Sequence, residues 1–257
     1  QRLDQSVACL QIPLLVESYE EFDYVRERIT PRLERVLVEG GFRVLSWGDA
    51  GWVHFFTKKP ARTLQEIRHM KLLTAAGDPV AEKLYKDFGF RVVPLPYTEV
   101  LTALQTGLIE AVQGPPLYAL LEQWFGLAEN MIDIRWMPLV AATVIREDAW
   151  QRIRPEWRDK MLAAAQAAGE RMRREIRQLG DDAVPEMRQR GLNVITLDEA
   201  TFANWQAEAD RAYPKLRGEY APVELFDEVL RLRDEFRRHR PGAGGAVGEA
   251  TGPQDPE

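Results

Sequence analysis

The sequence predicts an α/β protein built as two lobes that one long helix joins. Two patterns lead to this fold class. From about Phe42 to Arg146 short apolar segments alternate with helical ones, which is typical of a parallel or mixed sheet with helices on both faces. From Pro155 to about Arg190 apolar residues recur every three or four positions, which indicates one helix roughly 45–50 Å long. Because that length exceeds the width of one small lobe, we expect this helix to span two.

The first predicted helix follows an apolar run, VACLQIPLLV, that we interpret as a strand end or an ordered crossing segment. Ser18 and Glu21 form a capping-box pattern at the start of the helix, and Gly40-Gly41 marks its end. Pro31 lies inside the helical pattern. We expect this proline to divide the helix into two pieces, since its ring removes a backbone donor.

Strands and helices then alternate, with turn and cap residues between them. Thr63 is placed to cap a short helix, and Asp78 is placed to cap another whose first residue is Pro79. The predicted strands are FRVLSWG, GWVHFFT, KLLTAA, FRVVPLP, LIEAVQGPP and the extended MIDIRWMPLVAATVIR. The predicted helices are TLQEIRHM, PVAEKLYKDFG, YTEVLTALQTG and LYALLEQWFGLA.

After the long helix the pattern predicts one more strand, LNVITL, and two further helices. Residues 239–257 are rich in Gly, Pro and Ala without an apolar anchor, and we predict a disordered tail there. The chain begins with Gln1 as if in the middle of a fold. We therefore expect residues to be missing upstream, and the lack of a signal peptide has no bearing on the compartment.

Composition excludes several classes of function. The 257 residues are 45% hydrophobic, which suits one large domain or two modest ones. The net charge is −6 and basic residues are spread along the chain, so we predict no nucleic-acid partner. With one cysteine, and three histidines that lack ligand spacing, the sequence predicts no metal site and no cofactor.

The sequence lacks the common catalytic motifs. GxSxG, HExxH, a P-loop and GxGxxG are all absent. Asp49, His54 and Asp78 are the acids or bases that an enzyme on this fold could use. However, the WVHFF context of His54 is typical of a buried histidine, and Asp78 is placed as a helix cap. We predict that the protein is not an enzyme and has no catalytic residues.

Aromatic residues occur where strands meet loops or helices. Trp47, Trp52 and Tyr97 lie at such transitions, where side chains often face a crevice. Core packing is the alternative for each of them, and the sequence leaves both interpretations open.

A family resemblance accounts for these patterns together. The segment LPYTEVLTALQTGLIEAVQGP, from Leu95 to Pro115, closely resembles a signature of DctP-type solute-binding proteins, the periplasmic substrate-binding subunits of TRAP transporters. The segments IPLLVESYEEFDYV and GFRVLSWGDAGWVHFFTKKPARTLQEIRHMKLL are similar to the family too, as is the long helix after Pro155. The resemblance extends from about Val7 to Arg238.

The resemblance implies a type II periplasmic-binding-protein-like two-lobe fold with a long bridging helix, in which the N-terminal part of lobe one is absent. Residues 1–47 would belong to lobe one and residues 48–142 to lobe two. Residues 143–238 would form a return strand, the bridging helix and C-terminal helices shared between the lobes.

The resemblance also implies a periplasmic protein that closes on a small molecule and delivers it to TRAP-type membrane permease subunits. Two alternatives stay open. One is a periplasmic carrier that hands a hydrophobic ligand to a soluble partner, and the other is an enzyme on the same fold.

Three positions depart from the family pattern. Leu73 stands where the family usually has an arginine that pairs with a ligand carboxylate, and Val53 stands where some members have a second one. Gly114 replaces a frequent asparagine, whereas Tyr97 keeps an aromatic contact. A buried carboxylate without a cationic partner costs several kcal/mol, so we expect a neutral or largely apolar ligand.

The predicted ligand-binding residues combine these positions with nearby aromatic and polar groups. Their polar members would supply a few hydrogen bonds. They are Trp47, Asp49, Trp52, Val53, Leu73, Thr74, Asp78, Tyr97, Gln113 and Gly114.

Overall fold

The computed structural model describes residues 5–239. The predicted tail lies outside this range, except for His239, which ends the last helix. The helices are α1 (Tyr19–Glu39), α2 (Leu64–Arg68), α3 (Pro79–Asp87), α4 (Val100–Thr106), α5 (Pro116–Leu121), α6 (Glu147–Gln151), α7 (Pro155–Gln189), α8 (Glu199–Glu219) and α9 (Val223–His239). The strands are β1 (Phe42–Thr57), β2 (Lys71–Ala75), β3 (Arg91–Leu95), β4 (Ala111–Gly114), β5 (Asn130–Arg146) and β6 (Asn193–Ile195).

Within the described residues the strands form one mixed sheet, as the alternating pattern predicts. Its order is β3-β2-β4-β1-β5-β6. The long strands β1 and β5 pair antiparallel along most of their length, and β4 joins the other edge of β1 antiparallel. Strand β2 is parallel to β3 and β4, and β6 is parallel to β5.

Strand β1 is a single strand of 16 residues where the sequence pattern predicts two. Its partner β5 has 17 residues and offers backbone groups along the whole length, so the ladder continues through the predicted break. The register shifts between Asp49 and Trp52, where Gly51 has a φ of +96°. This bulge suits glycine, because a side chain there would be strained.

Helix α1 is also continuous, so the predicted break at Pro31 is wrong. The proline removes one backbone donor, but Ile29 and Leu33 on either side of it are both fully buried in the same core cluster. The Thr30 hydroxyl donates to the Arg26 carbonyl oxygen at 2.7 Å. Tertiary packing therefore keeps the helix in one piece.

Helix α7 confirms the prediction of a long helix after Pro155. Its 35 residues correspond to about 52 Å. It lies directly on β1 at Gly169, where an added Cβ would come within 2.6 Å of the Ser46 Cβ. Only a residue without a side chain permits the helix and the strand to approach this closely.

Arg177 ties α7 to two other elements. Its Nη1 lies 2.7 Å from Asp23 Oδ2 on α1, and its Nη2 lies 2.7 Å from Asp49 Oδ2 on β1. The guanidinium lies 4.0 Å from the ring centre of Tyr19. Burial alone disfavours its charge, but the bonds to the two carboxylates raise the pKa of Arg177 above its usual range.

In the part of the chain that the structure describes, the core consists of three apolar clusters. The first packs α1, α9 and the segment Gln5–Leu10 around Phe22 and Phe226. The other two lie on opposite faces of the sheet, so that Phe56 belongs to one and its neighbour Phe55 to the other.

The domain boundaries predicted at residues 47/48 and 142/143 fall next to each other in space. Trp47 and Ala142 are ladder partners in the pairing of β1 with β5. Both boundaries thus cross the same two-stranded ribbon, and this division of the chain stays a prediction.

Replacing Arg177 with Met is expected to lower the free energy of unfolding by about 3–5 kcal/mol, because Asp49 would stay buried without its cationic partner. Denaturant titration measures this loss. Adding Asp49→Asn should restore part of it, since no lone buried charge then remains. The matched control is Arg171→Met, at an exposed position of the same helix. An equal loss in the control would contradict the role of the ion pair.

Candidate ligand-binding site

Two adjoining cavities lie at one side of the β1/β5 ladder. The first, of about 400 Å³, lies between β1, β4, β5 and the single turn Tyr97–Glu99. The second, of about 310 Å³, lies between β2, α3, β5 and α8. Four residues line both and connect them: Tyr97, Gln113, Met137 and Leu139.

The first cavity has an aromatic wall. The rings of Tyr97 and Trp124 stack with centres 6.1 Å apart and planes inclined by 18°. Trp124 approaches β4 so closely that a Cβ on Gly114 would lie 2.9 Å from its ring. The glycine therefore shapes the cavity by letting this ring lie against the strand.

Gln113 is the polar group at the junction of the two cavities. The Tyr85 hydroxyl donates to its Oε1 at 2.7 Å. Burial raises the pKa of Tyr85 to about 12, so the hydroxyl keeps its proton at neutral pH. The amide is thereby oriented, and its nitrogen has no hydrogen-bond partner within residues 5–239, so it can donate to a ligand oxygen.

The second cavity contains an internal ion pair. Arg68 Nη2 lies 2.7 Å from Glu208 Oε2, and Arg211 bonds the same carboxylate from outside. Asp78 Oδ1 accepts a hydrogen bond from the Ala81 backbone at 3.0 Å, as expected of a helix cap. The charges in this cavity are thus engaged with each other or with backbone groups.

Comparison with known proteins places the chain in a family. The family described as bacterial extracellular solute-binding protein, family 7 (DctP) matches residues 1–219.

The chain belongs to this family.

Two named relatives show how similar the chain is to known members of the family. The 2,3-diketo-L-gulonate-binding periplasmic protein YiaO of Escherichia coli is 26% identical over 168 residues, which are 64% of this chain and 50% of that protein. The ectoine-binding periplasmic protein TeaA of Halomonas elongata is 21% identical over 227 residues, 88% of this chain and 65% of that protein. This chain therefore spans about half to two thirds of the length of these curated relatives.

A solved structure confirms the predicted two-lobe α/β fold class. It is a TRAP periplasmic solute binding protein from Ralstonia eutropha H16 with bound (S)-2-acetolactate. Its TM-score is 0.82 at 17% identity, and the match covers 90% of this chain and 75% of that one.

Six of the ten predicted site residues line these cavities. Val53 and Gly114 line the first, Thr74 and Asp78 the second, and Tyr97 and Gln113 both. The four that the structure does not bring to either cavity are Trp47, Asp49, Trp52 and Leu73.

Leu73 stays out of the cavities because side chains alternate along a strand. Leu72 and Thr74 point to the face of β2 that borders the second cavity, whereas Leu73 points to the opposite face. There it is fully buried in the apolar cluster that contains Trp124. The structure thus gives Leu73 a place in the core and no place on a cavity wall.

The other three residues have structural partners. Asp49 is the buried half of the pair with Arg177, and the Trp47 indole donates to Glu34 Oε1 at 2.9 Å. Trp52 alternates with Val53 on β1 and therefore faces away from the first cavity. Its ring lies 5.3 Å from that of Tyr19.

The sequence does not predict some of the residues that line the cavities. Arg68 and Glu208 lie 140 positions apart, and no local pattern relates them. Tyr85 and Trp136 have the spacing of ordinary core residues. The sequence therefore does not show that their polar atoms lie beside Gln113 and the second cavity.

His54, a candidate base in the sequence, is a buried residue of β1. Its Nδ1 lies 3.3 Å from the Ile132 carbonyl oxygen. Burial lowers the pKa of His54 to about 4, so the ring is neutral at pH 7. Each of the three candidate acids or bases thus makes a structural contact: Asp49 with Arg177, His54 with the Ile132 carbonyl oxygen, and Asp78 with the Ala81 backbone.

Within residues 5–239, no group of three His, Cys, Asp or Glu side chains is arranged to hold a metal ion. In the same range, no helix is both long and apolar enough to cross a membrane.

His54 should make stability depend on pH. The unfolded chain protonates this ring below about pH 6.5, whereas the folded protein keeps it neutral down to about pH 4. The unfolded state thus binds more protons in this window, and stability falls by roughly 3 kcal/mol as the pH drops through it. Unfolding curves between pH 7 and 4 should show this component in the parent chain and lack it in His54→Asn, whose amide keeps a donor for Ile132.

The matched control for this measurement is His69→Asn at an exposed position. It should retain the full pH dependence. A parallel fall in the parent chain and in His54→Asn would contradict the assignment.

Proposed function

We propose that the chain belongs to a periplasmic solute-binding protein that captures a small, neutral molecule between its lobes and delivers it to a TRAP-type membrane permease. Family membership and the names of the relatives support the transport role. The cavities support a small ligand, because their size and aromatic walls suit one.

The charge of the lining is the observation that supports a neutral ligand. Among the described residues that line the two cavities, Arg68 is the only cation, and it is already paired with Glu208. The first cavity is lined by the carboxylate of Glu122 and by no basic residue of the described range. A ligand anion enclosed there would lack a partner and would be repelled by Glu122.

Named ligands of relatives provide a contrast. YiaO is named for a sugar acid, and the structure from Ralstonia eutropha holds acetolactate. An acid of this kind needs an available cation in its site. We infer that this chain has a different ligand class.

Apolar contact would supply most of the binding free energy. Burying ~300 Å² of ligand surface contributes on the order of 7 kcal/mol before the cost of association. Hinge closure would bury that surface, and contacts to both lobes would favour the closed state. Helix α7 and the β1/β5 ladder are the elements that would connect the moving parts.

Calorimetric titration with a matched pair of probes tests the charge preference. The purified full chain should bind 3-phenylpropanamide at least about tenfold more tightly than 3-phenylpropanoate, because the carboxylate finds no free cation. Glu122→Gln should narrow this gap by about two- to fivefold, since Glu122 is exposed and solvent screens its charge. Tighter binding of the acid than of the amide would overturn the proposed ligand class.

Glu129→Gln is the matched control, since Glu129 is exposed and lines neither cavity. It should leave the ratio of the two affinities unchanged.

Release of bound ligand to membranes that contain the permease, but not to soluble periplasmic extract, would distinguish delivery to the permease from transfer to a soluble partner.

A further inference from the structure

Three buried polar atoms around the second cavity have no hydrogen-bond partner among residues 5–239. They are Thr74 Oγ1, Trp136 Nε1 and Arg68 Nε. All three residues line this cavity, and Thr74 and Trp136 are only 3% and 5% exposed. Buried polar atoms in folded proteins are nearly always paired, so three unpaired ones around one cavity require an explanation.

Neighbouring groups account for two of these atoms, those of Trp136 and Arg68. The Trp136 indole has only a weak interaction with the Tyr85 hydroxyl, whose proton is directed to Gln113. Arg68 donates to Glu208 through Nη2, and its Nε–H takes no part in this ion pair. Each atom is thus a hydrogen-bond donor without a strong partner in a residue of the cavity wall.

The same chemistry is common to the three atoms. An indole N–H and a guanidinium N–H can only donate a hydrogen bond, and a threonine O–H donates readily. The complementary group is an oxygen acceptor. A carboxylate is disfavoured, because Glu208 and Asp78 line the same cavity and Arg68 already neutralises the nearer charge.

We propose that the second cavity is a ligand compartment that receives a neutral oxygen acceptor, such as a carbonyl, while the apolar body of the same ligand occupies the first cavity. This inference rests on the proposed function. The shared walls formed by Tyr97, Gln113, Met137 and Leu139 let one molecule extend through both cavities. The ligand class is therefore a small neutral molecule with an aromatic or aliphatic part and a ketone, ester, amide or ether oxygen at one end.

A pair of probes that differ in one atom tests this proposal on the full chain. 4-Phenyl-2-butanone has the carbonyl oxygen, and 2-methyl-4-phenyl-1-butene has a CH₂ group in its place. We expect the ketone to bind about tenfold more tightly in a competition titration followed by fluorescence, because the alkene leaves the donors unpaired.

Two substitutions remove donors with little change of shape. Thr74→Val and Trp136→Phe should each weaken ketone binding by about fivefold and leave alkene binding unchanged. Trp52→Phe is the matched control, since the Trp52 Nε1 is also buried and unpaired but Trp52 does not line the second cavity. Thr74→Val keeps the test valid if Trp136→Phe fails to fold. Ala212→Leu, which fills this cavity, should abolish the preference for the ketone.

Equal affinities for the two probes, or a preference that both donor variants retain, would overturn the proposal and leave the second cavity as a site for water only. Absence of ketone binding to the parent chain would overturn it as well. The amide-to-acid ratio measured with Glu122→Gln tests the proposed function separately. A retained amide preference with no ketone preference would thus reject this compartment alone.

Discussion

The buried ion pair between Arg177 and Asp49 fixes the position of the long helix on β1, the strand whose Val53 lines the first cavity. Gly169 lets α7 lie against β1, and Arg177 then joins the helix to Asp49 within β1 and to Asp23 on α1. Two residues after Asp49 the bulge at Gly51 resets the alternation of side chains. Val53 consequently faces the first cavity, while Trp52 packs on Tyr19 at the other side of the strand. The buried charge of Asp49, the close contact at Ser46 and the bulge at Gly51 thus all lie on β1.

This arrangement connects stability to ligand binding in a specific way. The ribbon of β1 and β5 crosses the boundary between the expected lobes, and Val53 and Met137, which are ladder partners, both line the first cavity. Any hinge motion that bends the ribbon would therefore change the shape of the cavity wall. The proposed function needs such coupling, since a ligand stabilises a closed state only through contacts that differ between the open and closed forms.

Features that depend on local pattern could be predicted from the sequence, and those that depend on tertiary pairing could not. The alternation of strands and helices, the long helix after Pro155 and the family signature around Tyr97 are local, and the structure and the comparisons confirm them. The break expected at Pro31 is wrong because packing of Ile29 and Leu33, invisible in the local pattern, outweighs one lost hydrogen bond. The pairing of Arg68 with Glu208 joins residues from distant parts of the chain, so no sequence window contains it.

Leu73 shows how the same conclusion about the ligand can rest on different grounds. The sequence suggests a neutral ligand because a leucine replaces an expected arginine, but the side chain of Leu73 lies in the core, on the face of β2 opposite Thr74. The replacement alone therefore says little about the cavity wall. The proposal of a neutral ligand rests on the lining itself, since Glu122 has no cationic neighbour among the described residues of the first cavity and Arg68 is engaged by Glu208 in the second. The unpaired N–H and O–H donors that remain favour an uncharged oxygen, because such an acceptor satisfies them without placing a second negative charge beside Glu208.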